Sequence, residues 1–351
     1  MVSLHTPPKM NRSILASLSN PKPTRCVKIR HFSLGLLAVL IVASMFWIIY
    51  NLNTIRDWYL LATYHPPQIV SQLASVDGMT NYAKDLFYLN RPAIEGKSAF
   101  AANCSNKDNQ THVIGCYHDG DNGIFLLNVT DPQLNGIIPV TAAYEMLHAG
   151  YARLSKTEQT SIDNQMWQFY QGHNLGTEIK AQMASYAVTE PGAKYDELYS
   201  VLGTEVAALP AQLENHYKLY FKNRASIVRT YQNYQAAFNS RENSIAAYNK
   251  ELTTLLSQIN ASKNQLTVLQ NSITQQQNTL NQYQASGNFS AYNINVPGYN
   301  ALINQYNDLV YATRSEVSQY NIIVGESNAL ALEERQLVQA ISSTPSIQSP
   351  K

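Results

Sequence analysis

Three residues near the middle of the chain, Tyr144, Glu145 and His148, have the spacing of a zinc-dependent hydrolytic motif. The segment 140–154 reads VTAAYEMLHAGYARL. In an HExxH helix, two histidines one turn apart bind Zn²⁺ from the same face, and the glutamate activates the zinc-bound water. Here the glutamate and the second histidine are present, but tyrosine occupies the first histidine position. The segment therefore predicts a helix that carries only part of a zinc site.

This segment resembles a motif of a group of membrane-anchored bacterial proteins, mostly uncharacterised. In that group the zincin-like motif reads VTAAHEMLHAAYDRLS. The resemblance continues in further segments, which read MTNYAKDLFYLNRPAIEGKSAF (79–100), VIGCY (113–117), TDPQLNG (130–136) and LGTEVAALPAQLENHYKLYFKNR (202–224). In such members a downstream segment resembles NEMHSVFGTE, whereas residues 196–205 of this chain read DELYSVLGTE. The resemblance implies a zincin-like fold in which Tyr199 replaces a second expected histidine. Glu197 and Glu205 then remain as candidate acidic ligands beside His148.

The two tyrosines argue against a working metal site. A phenol has a pKa near 10 and must lose its proton to bind zinc well, whereas a neutral imidazole is ready at neutral pH. We therefore expect Glu145 to be a vestigial catalytic residue in a protein without a cofactor, hydrogen-bonded to Tyr144 or Tyr199, and His148 to be an ordinary core histidine. The alternative is a divergent zinc metallopeptidase that uses His148, Glu145 and an acidic ligand. A degenerate zinc site would still hold positions 144, 148 and 199 around one point.

Other histidines and the cysteines offer weaker candidates for metal binding. His173 and His216 could act as substitute ligands, although His173 lies in a loop-like segment and His216 on an ordinary helix face. Cys104 and Cys116 are close in the chain, and we expect a disulfide between them, which the chain-entropy model values at roughly 3 kcal/mol. A zinc site with the neighbouring His112 and His118 is the alternative for this pair.

The N-terminal region predicts a membrane anchor. Residues 32–50 contain no charged side chain, and at about 1.5 Å per residue they match a hydrocarbon core roughly 30 Å thick. Residues 1–31 contain basic side chains and no carboxylate, so the positive-inside rule places them in the cytoplasm. A cleaved signal peptide fits less well, because the apolar run is long and no A-x-A-like site follows it. Since the basic residues flank an apolar run, we expect a membrane contact and no nucleic-acid partner.

The region that follows predicts a small β-hairpin and then several helices. Two apolar runs, 112–117 and 123–129, are separated by the turn-rich segment HDGDNG, which is typical of a hairpin. Helical patterns then occupy 140–154, 157–170, 177–188, 194–202 and the residues after Pro210.

Heptad patterns predict two long helices in the last third of the chain. The first carries an apolar residue at every seventh position: Tyr231, Phe238, Ile245, Leu252, Ile259, Leu266, Ile273 and Leu280. The paired positions three residues on are mixed: Tyr234, Arg241, Tyr248, Leu255, Ser262, Leu269, Gln276 and Tyr283. The second carries Ile303, Val310, Val317, Val324, Ala331 and Val338. Between them, Gly287, Pro297 and Gly298 predict a connection of about a dozen residues, long enough for the helices to pair as an antiparallel hairpin. Pairing of each helix with another chain is the alternative.

The predicted fold is mostly α, with an α+β globular part. The expected divisions are a basic cytoplasmic tail (1–31), a transmembrane helix (32–52), a zincin-like extracytoplasmic domain (53–223), a coiled-coil hairpin (224–341) and a disordered tail (342–351). This organisation indicates a single-pass protein of the cell membrane. We expect a non-catalytic domain with a coiled-coil module for a protein partner or for self-association. A zinc metallopeptidase and a structural envelope spacer or scaffold are the alternatives.

Overall fold

The computed structural model describes residues 25–104, 113–119, 123–189 and 192–342. Most of the predicted basic tail and all but the first residue of the predicted disordered tail lie outside the described residues. The chain divides into two compact units, residues 1–63 and residues 64–351. The second unit therefore contains the predicted hairpin and all of the predicted globular domain except residues 53–63.

The first unit contains two helices, α1 (Arg25–Tyr50) and α2 (Leu52–Thr63). Asn51 separates them, and its side-chain amide donates a hydrogen bond to the carbonyl oxygen of Trp47 at 2.8 Å. In the described part of the chain, no single helix is long and apolar enough to cross a membrane. Leu36–Tyr50 and Leu52–Thr63 meet that criterion only together, with a bend of 67° between them. The membrane helix at 32–52 stays a prediction.

The second unit begins with a globular part that is mostly helical. Its helices are α3 (Gln68–Val76), α4 (Asn81–Leu89), α5 (Lys97–Asn103), α6 (Ile137–Ala152), α7 (Lys156–Gly172), α8 (Thr177–Thr189), α9 (Lys194–Thr204) and α10 (Ala211–Tyr217). The helices predicted from residue 140 onward are all present. Local sequence explains their starts: Ser155 and Glu158 form a reciprocal capping box at α7, and Pro210 immediately precedes α10.

A three-stranded sheet covers one side of α6. Its strands are β1 (Ala93–Glu95), β2 (Gly115–His118) and β3 (Gly123–Leu127), in the order β1-β3-β2. The antiparallel β2–β3 pair confirms the predicted hairpin, although His112, at its predicted start, lies outside the described residues. Strand β1 pairs in parallel with β3 and was not predicted, because three residues are too few to show an alternating pattern.

The last third of the chain forms an antiparallel helical hairpin of α11 (Arg224–Ala285) and α12 (Phe289–Ile341). With 62 residues, α11 is about 90 Å long at 1.5 Å per residue. Polar contacts cross the pair: Ser262 Oγ donates to Glu316 Oε2 at 3.2 Å, and Gln319 Nε2 donates to Glu251 Oε1 at 3.3 Å. The two helices of one chain therefore pair with each other, as the hairpin prediction requires.

The connection between the long helices is much shorter than predicted. Only residues 286–288 separate α11 from α12, and Gly287 has a φ of 72°, which favours glycine. The side chain of Asn288 then caps α12 by accepting from the backbone N–H of Ala291 at 3.1 Å. Pro297 and Gly298, which were expected to end a helix, lie inside α12. That prediction was wrong because proline removes only one intrahelical hydrogen bond, and the pairing with α11 continues past it.

The predicted heptad stripe is correct on α11 and displaced on α12. Leu255, Ile273 and Leu280 of α11 are buried, as predicted. On α12 the buried residues are Ile323 and Leu337, each one position before a residue of the predicted stripe, and Val317 of that stripe is 40% exposed. A sevenfold repeat of apolar residues does not by itself decide which of two adjacent helix positions faces the partner helix.

Arg224 joins the base of the hairpin to the globular part. Its guanidinium is buried and donates to the carbonyl oxygens of Leu202 (3.1 Å), Val206 (2.6 Å) and Ala207 (3.0 Å). It also forms an ion pair with the carboxylate of Glu214. These bonds satisfy the carbonyl group of Leu202 in the last turn of α9 and two carbonyl groups in the segment that follows the helix.

Candidate functional site

The two halves of the predicted site lie on α6 and α9, which pack closely in the core. Small side chains allow this approach: a Cβ atom added at Gly203 of α9 would collide with Leu147 of α6. Nearly every residue of α6 from Val140 to Gly150 is buried. The polar side chains of the motif therefore lie in the interior, where each requires a polar partner.

Two residues of α6 and two of α9 form a compact group that we call the acid–histidine cluster: Tyr144, His148, Asp196 and Glu197. The hydroxyl of Tyr144 donates to Glu197 Oε2 at 2.7 Å. His148 Nδ1 lies 2.8 Å from Asp196 Oδ1, and its Nε2 lies 3.8 Å from Glu197 Oε2. The ring of Tyr144 also packs edge-on against the imidazole, with centroids 5.1 Å apart. Tyr144 and His148 thus converge on one carboxylate of α9.

The cluster holds its protons at neutral pH. Burial alone would lower the pKa of His148, but the carboxylates of Asp196, Glu197 and Glu145 outweigh it and raise the pKa to about 10. Burial, followed by the neighbouring Tyr186 and Glu197, raises the pKa of the Tyr144 phenol well above its ordinary value. The imidazole is therefore a cation that balances carboxylate charge, and the phenol is a hydrogen-bond donor.

Glu145 faces strand β2. Its side chain is only 5% exposed, and a Cβ atom added at Gly115 would lie 2.6 Å from Glu145 Oε1. Tyr144 or Tyr199 was expected to hydrogen-bond to Glu145. Instead, the hydroxyl of Tyr144 donates to Glu197, and the hydroxyl of Tyr199 lies 2.7 Å from His216 Nε2. The strand backbone therefore occupies the space beside the carboxylate that would have to activate water.

Tyr199 lies in a different cluster from Tyr144 and His148. Besides the contact with His216, the Tyr199 ring packs against three other tyrosines, Tyr151, Tyr217 and Tyr220, with centroids 5.3 to 6.1 Å apart. The expectation that positions 144, 148 and 199 surround one point is therefore not met. Residues 197 and 199 are two positions apart on a helix, so their side chains point in different directions.

The remaining candidate ligands also have separate partners. Glu205 follows Glu197 by eight residues, about 12 Å along a helix, and its carboxylate accepts a hydrogen bond from Gln182 at 3.5 Å. Burial raises the pKa of Glu205 to about 7. His173 Nδ1 lies 3.0 Å from the carbonyl oxygen of Phe169, at the end of α7. These residues do not join the acid–histidine cluster.

Asp196 is the member of the cluster that was not predicted from the sequence. Its carboxylate contacts Nδ1 of His148. In a histidine that binds zinc through Nε2, Nδ1 is the nitrogen that faces away from the metal. The signal was present in the sequence, since Asp196 immediately precedes the candidate ligand Glu197 in the same helical turn.

The donor set of the cluster does not fit zinc as it stands. A tetrahedral zinc would hold a histidine nitrogen and a carboxylate oxygen about 3.4 Å apart, and the observed 3.8 Å is close to that value. The same carboxylate oxygen, however, already accepts the phenol proton of Tyr144 at 2.7 Å. Zinc would have to displace that proton as well as the one on His148. The arrangement is that of a closed ion-pair and hydrogen-bond network.

A second group of potential ligands lies at the edge of the sheet. Cys104 and Cys116 form a disulfide, with Cα atoms 5.9 Å apart. His118 Nε2 lies 3.4 Å from Cys116 Sγ. In the part of the chain that the structure describes, this is the one place where three ligand atoms of His, Cys, Asp or Glu lie within 4.8 Å of one another.

A polar groove lies away from both groups, at the base of α11. Its volume is about 720 Å³, and its lining includes Glu178, Tyr231, Gln235 and Asn239. No member of the acid–histidine cluster belongs to that lining. The groove therefore offers no access to the residues of the motif.

Comparisons with family models, with curated proteins and with solved structures gave no match for this chain.

Proposed function

We propose that this chain is a membrane-anchored extracytoplasmic protein whose zincin-like core is non-catalytic and carries a helical hairpin for a protein partner. The apolar run at 32–50 and its one-sided basic flank support the anchor. The resemblance of residues 140–154 to a zincin-like motif supports descent of the core from a zincin-like domain. A structural spacer or scaffold of the envelope is the alternative in which the hairpin has no specific partner.

One observation carries the non-catalytic assignment. The hydroxyl of Tyr144, at the position of the first zinc-binding histidine, donates to Glu197, the acidic candidate ligand. His148, the remaining histidine of the motif, is held as a cation by Asp196 and Glu197. Because the His148 cation and the Tyr144 hydroxyl already engage the carboxylates of α9, the cluster supports the packing of α6 on α9 without a metal.

The hairpin supports a role in protein contact. Two paired helices can bury only one stripe each, so large apolar side chains remain on their outer faces. Val268, Tyr311 and Ile322 are 64%, 69% and 59% exposed. Such residues on a long rigid rod suit contact with another helix, from a partner or a second copy.

A divergent zinc metallopeptidase remains the second candidate, and one contact favours it. In zinc sites the histidine ligand commonly donates its other nitrogen to a carboxylate, which fixes the ring. Asp196 stands in that relation to His148, whose Nε2 faces Glu197. In this candidate His148 and Glu197 bind the metal and Glu145 is the general base.

Metal analysis of the full chain, purified in detergent without reductant, separates the two candidates. The parent should contain almost no zinc. Tyr144→His places a second imidazole beside Glu197 and His148 and should raise the content to about one zinc per chain. Tyr170→His, which adds a histidine on α7, is the matched control and should stay empty.

Three outcomes would count against the proposal. About one zinc in the parent would favour the metallopeptidase, and loss of activity in a folded Glu145→Gln variant would confirm it. A parent and a Tyr144→His variant that are both empty would show that the cluster does not descend from a zinc site. Protease added to intact spheroplasts tests the anchor, because it should remove the C-terminal mass and spare an N-terminal tag. The opposite protection pattern would contradict the anchor.

A further inference from the structure

The disulfide at the edge of the sheet has a histidine placed where a metal would need it. Cys116 and His118 are two residues apart on strand β2, so their side chains project from the same face. Cys104 directly follows α5 and is 4% exposed. Its sulfur therefore comes from a different element than the other two ligand atoms. Two elements thus bring two sulfurs and an imidazole within 4.8 Å of one another.

We propose that reduction of the Cys104–Cys116 disulfide converts this corner of the protein into a zinc site, with His118 as the third ligand. This inference is independent of the function proposed for the acid–histidine cluster. Two thiolates and an imidazole are a donor set that zinc favours, and a water molecule would complete the tetrahedron.

The distances fit this assignment. With Zn–S near 2.3 Å and Zn–N near 2.1 Å, a tetrahedral site holds sulfur and nitrogen about 3.6 Å apart. Cys116 Sγ and His118 Nε2 are already 3.4 Å apart. The two sulfurs would need to separate to about 3.8 Å, which side-chain rotation can supply across a Cα separation of 5.9 Å.

The imidazole is held in place in the oxidised protein. Its Nε2–H donates to the carbonyl oxygen of Asn103, the residue before Cys104, at 2.9 Å, and zinc would replace that proton and end that hydrogen bond. Its ring packs edge-on against Phe125 of the neighbouring strand, with centroids 6.0 Å apart. A ligand that is already oriented loses little conformational entropy when a metal binds.

The exchange balances as a thiol–disulfide reaction. One thiolate of a dithiol reductant attacks a protein sulfur, and the second thiol of the reductant then closes the reductant's own disulfide. The two electrons and two protons of the reductant end on Cys104 and Cys116 as thiols. Zinc then replaces the two thiol protons, and their release makes binding weaker at lower pH.

Zinc titration of the full chain before and after reduction tests the proposal, with a chromogenic chelator as competitor. The oxidised protein should take up no zinc at this corner, and the reduced protein about one equivalent. Removing the nitrogen ligand in His118→Ala should weaken binding to the reduced protein by at least about tenfold. His65→Ala, which removes an exposed histidine elsewhere, is the control and should bind like the parent.

Folding is checked on the same samples by circular dichroism, since reduction alone could loosen the sheet edge. Cys104→Ser cannot form the disulfide and lacks one ligand, so it should bind zinc weakly with or without reductant. Equal zinc uptake by oxidised and reduced protein would overturn the proposal. So would a reduced, folded parent that takes up none, or a His118→Ala variant that binds as tightly as the parent.

Discussion

The globular core and the hairpin differ in how their helices are buried. In the core, α6 is apolar and inaccessible nearly all the way round, and two of the few polar side chains that it carries, Tyr144 and His148, find partners on α9. In the hairpin, α11 and α12 each bury one narrow stripe and expose the rest to solvent. The core therefore depends on specific partners for buried groups, whereas the hairpin depends on a repeated, shallow contact.

This difference sets how much a single substitution can change stability. A buried polar group that loses its partner keeps its full desolvation cost, which is large in the core. A residue on the hairpin stripe packs against one helix only, so its neighbours can relax when it is truncated. We expect the core to respond strongly to the loss of one polar partner, and the hairpin to respond weakly to most changes outside its stripe.

The largest effect is expected where the two regions join. Arg224→Met keeps the aliphatic stem but leaves Glu214 and the carbonyl oxygens of Leu202, Val206 and Ala207 without their donor. We expect a loss of about 3–5 kcal/mol in the free energy of unfolding, because these groups lie at a buried junction. Denaturant unfolding followed by circular dichroism measures it.

Arg229→Met is the matched control, since Arg229 is exposed on the same helix. It should change stability by less than about 0.5 kcal/mol. Similar losses in the two variants would mean that the hairpin base is not fixed by the Arg224 contacts. The core and the hairpin would then be joined by packing alone.

The next effect is a pH dependence that belongs to the core. The pKa of His148 is raised from 6.5 to about 10 in the folded chain. The stabilisation that protonated His148 contributes is therefore fully present below pH 6.5. That stabilisation is lost as the pH rises toward 10. Between pH 7 and pH 9 we expect a loss of about 2–3 kcal/mol from this group.

Denaturant unfolding of the parent and of His148→Gln at both pH values isolates this contribution. The neutral amide does not titrate, so the variant should be less stable at pH 7 but should lose less stability at pH 9. Parallel pH profiles would show that His148 is neutral in the folded protein. The cluster would then lack the internal ion pairs on which the non-catalytic proposal rests.

Sequence patterns predicted the hairpin better than the core for a physical reason. The stripe of α11 is a local repeat, so Leu255 and Ile273 could be assigned to the interface from spacing alone. The acid–histidine cluster instead depends on how α6 rotates against α9, which no local repeat records. The sequence supplied Tyr144, His148 and Glu197 but not the role of Asp196, and it placed Tyr199 in the wrong cluster.

The failures in the hairpin have the same origin. Pro297 and Gly298 have strong local preferences against a helix interior, but pairing with α11 outweighs them. The register of α12 is likewise set by the short connection at 286–288 and by contacts with the facing helix. Local preference failed wherever a contact distant in sequence decided the outcome.

The register of α12 gives the third prediction. Ile323 is 5% exposed and Val317 is 40% exposed, although the repeat had assigned Val317 to the interface. Ile323→Ala should cost about 2 kcal/mol, at the low end for a buried isoleucine, because a two-helix contact can relax. Val317→Ala should cost less than about 0.5 kcal/mol. A larger loss for Val317→Ala, measured by denaturant unfolding, would restore the register that the sequence repeat predicted.

The last prediction compares one substitution, glycine to alanine, in the two regions. In the core, a Cβ atom at Gly115 would collide with Thr141 and lie 2.6 Å from Glu145 Oε1, so strand β2 or these buried side chains would have to move. Gly115→Ala should therefore cost about 1–3 kcal/mol. In the hairpin, nothing lies within 4 Å of a Cβ atom at Gly298, which is inside α12. Gly298→Ala should stabilise by about 0.5–1 kcal/mol, because alanine loses less backbone entropy in a helix.

Thermal melts of both variants give the signs of the two stability changes directly. A neutral Gly115→Ala would mean that strand β2 does not press on Glu145, and the carboxylate would then be open to water.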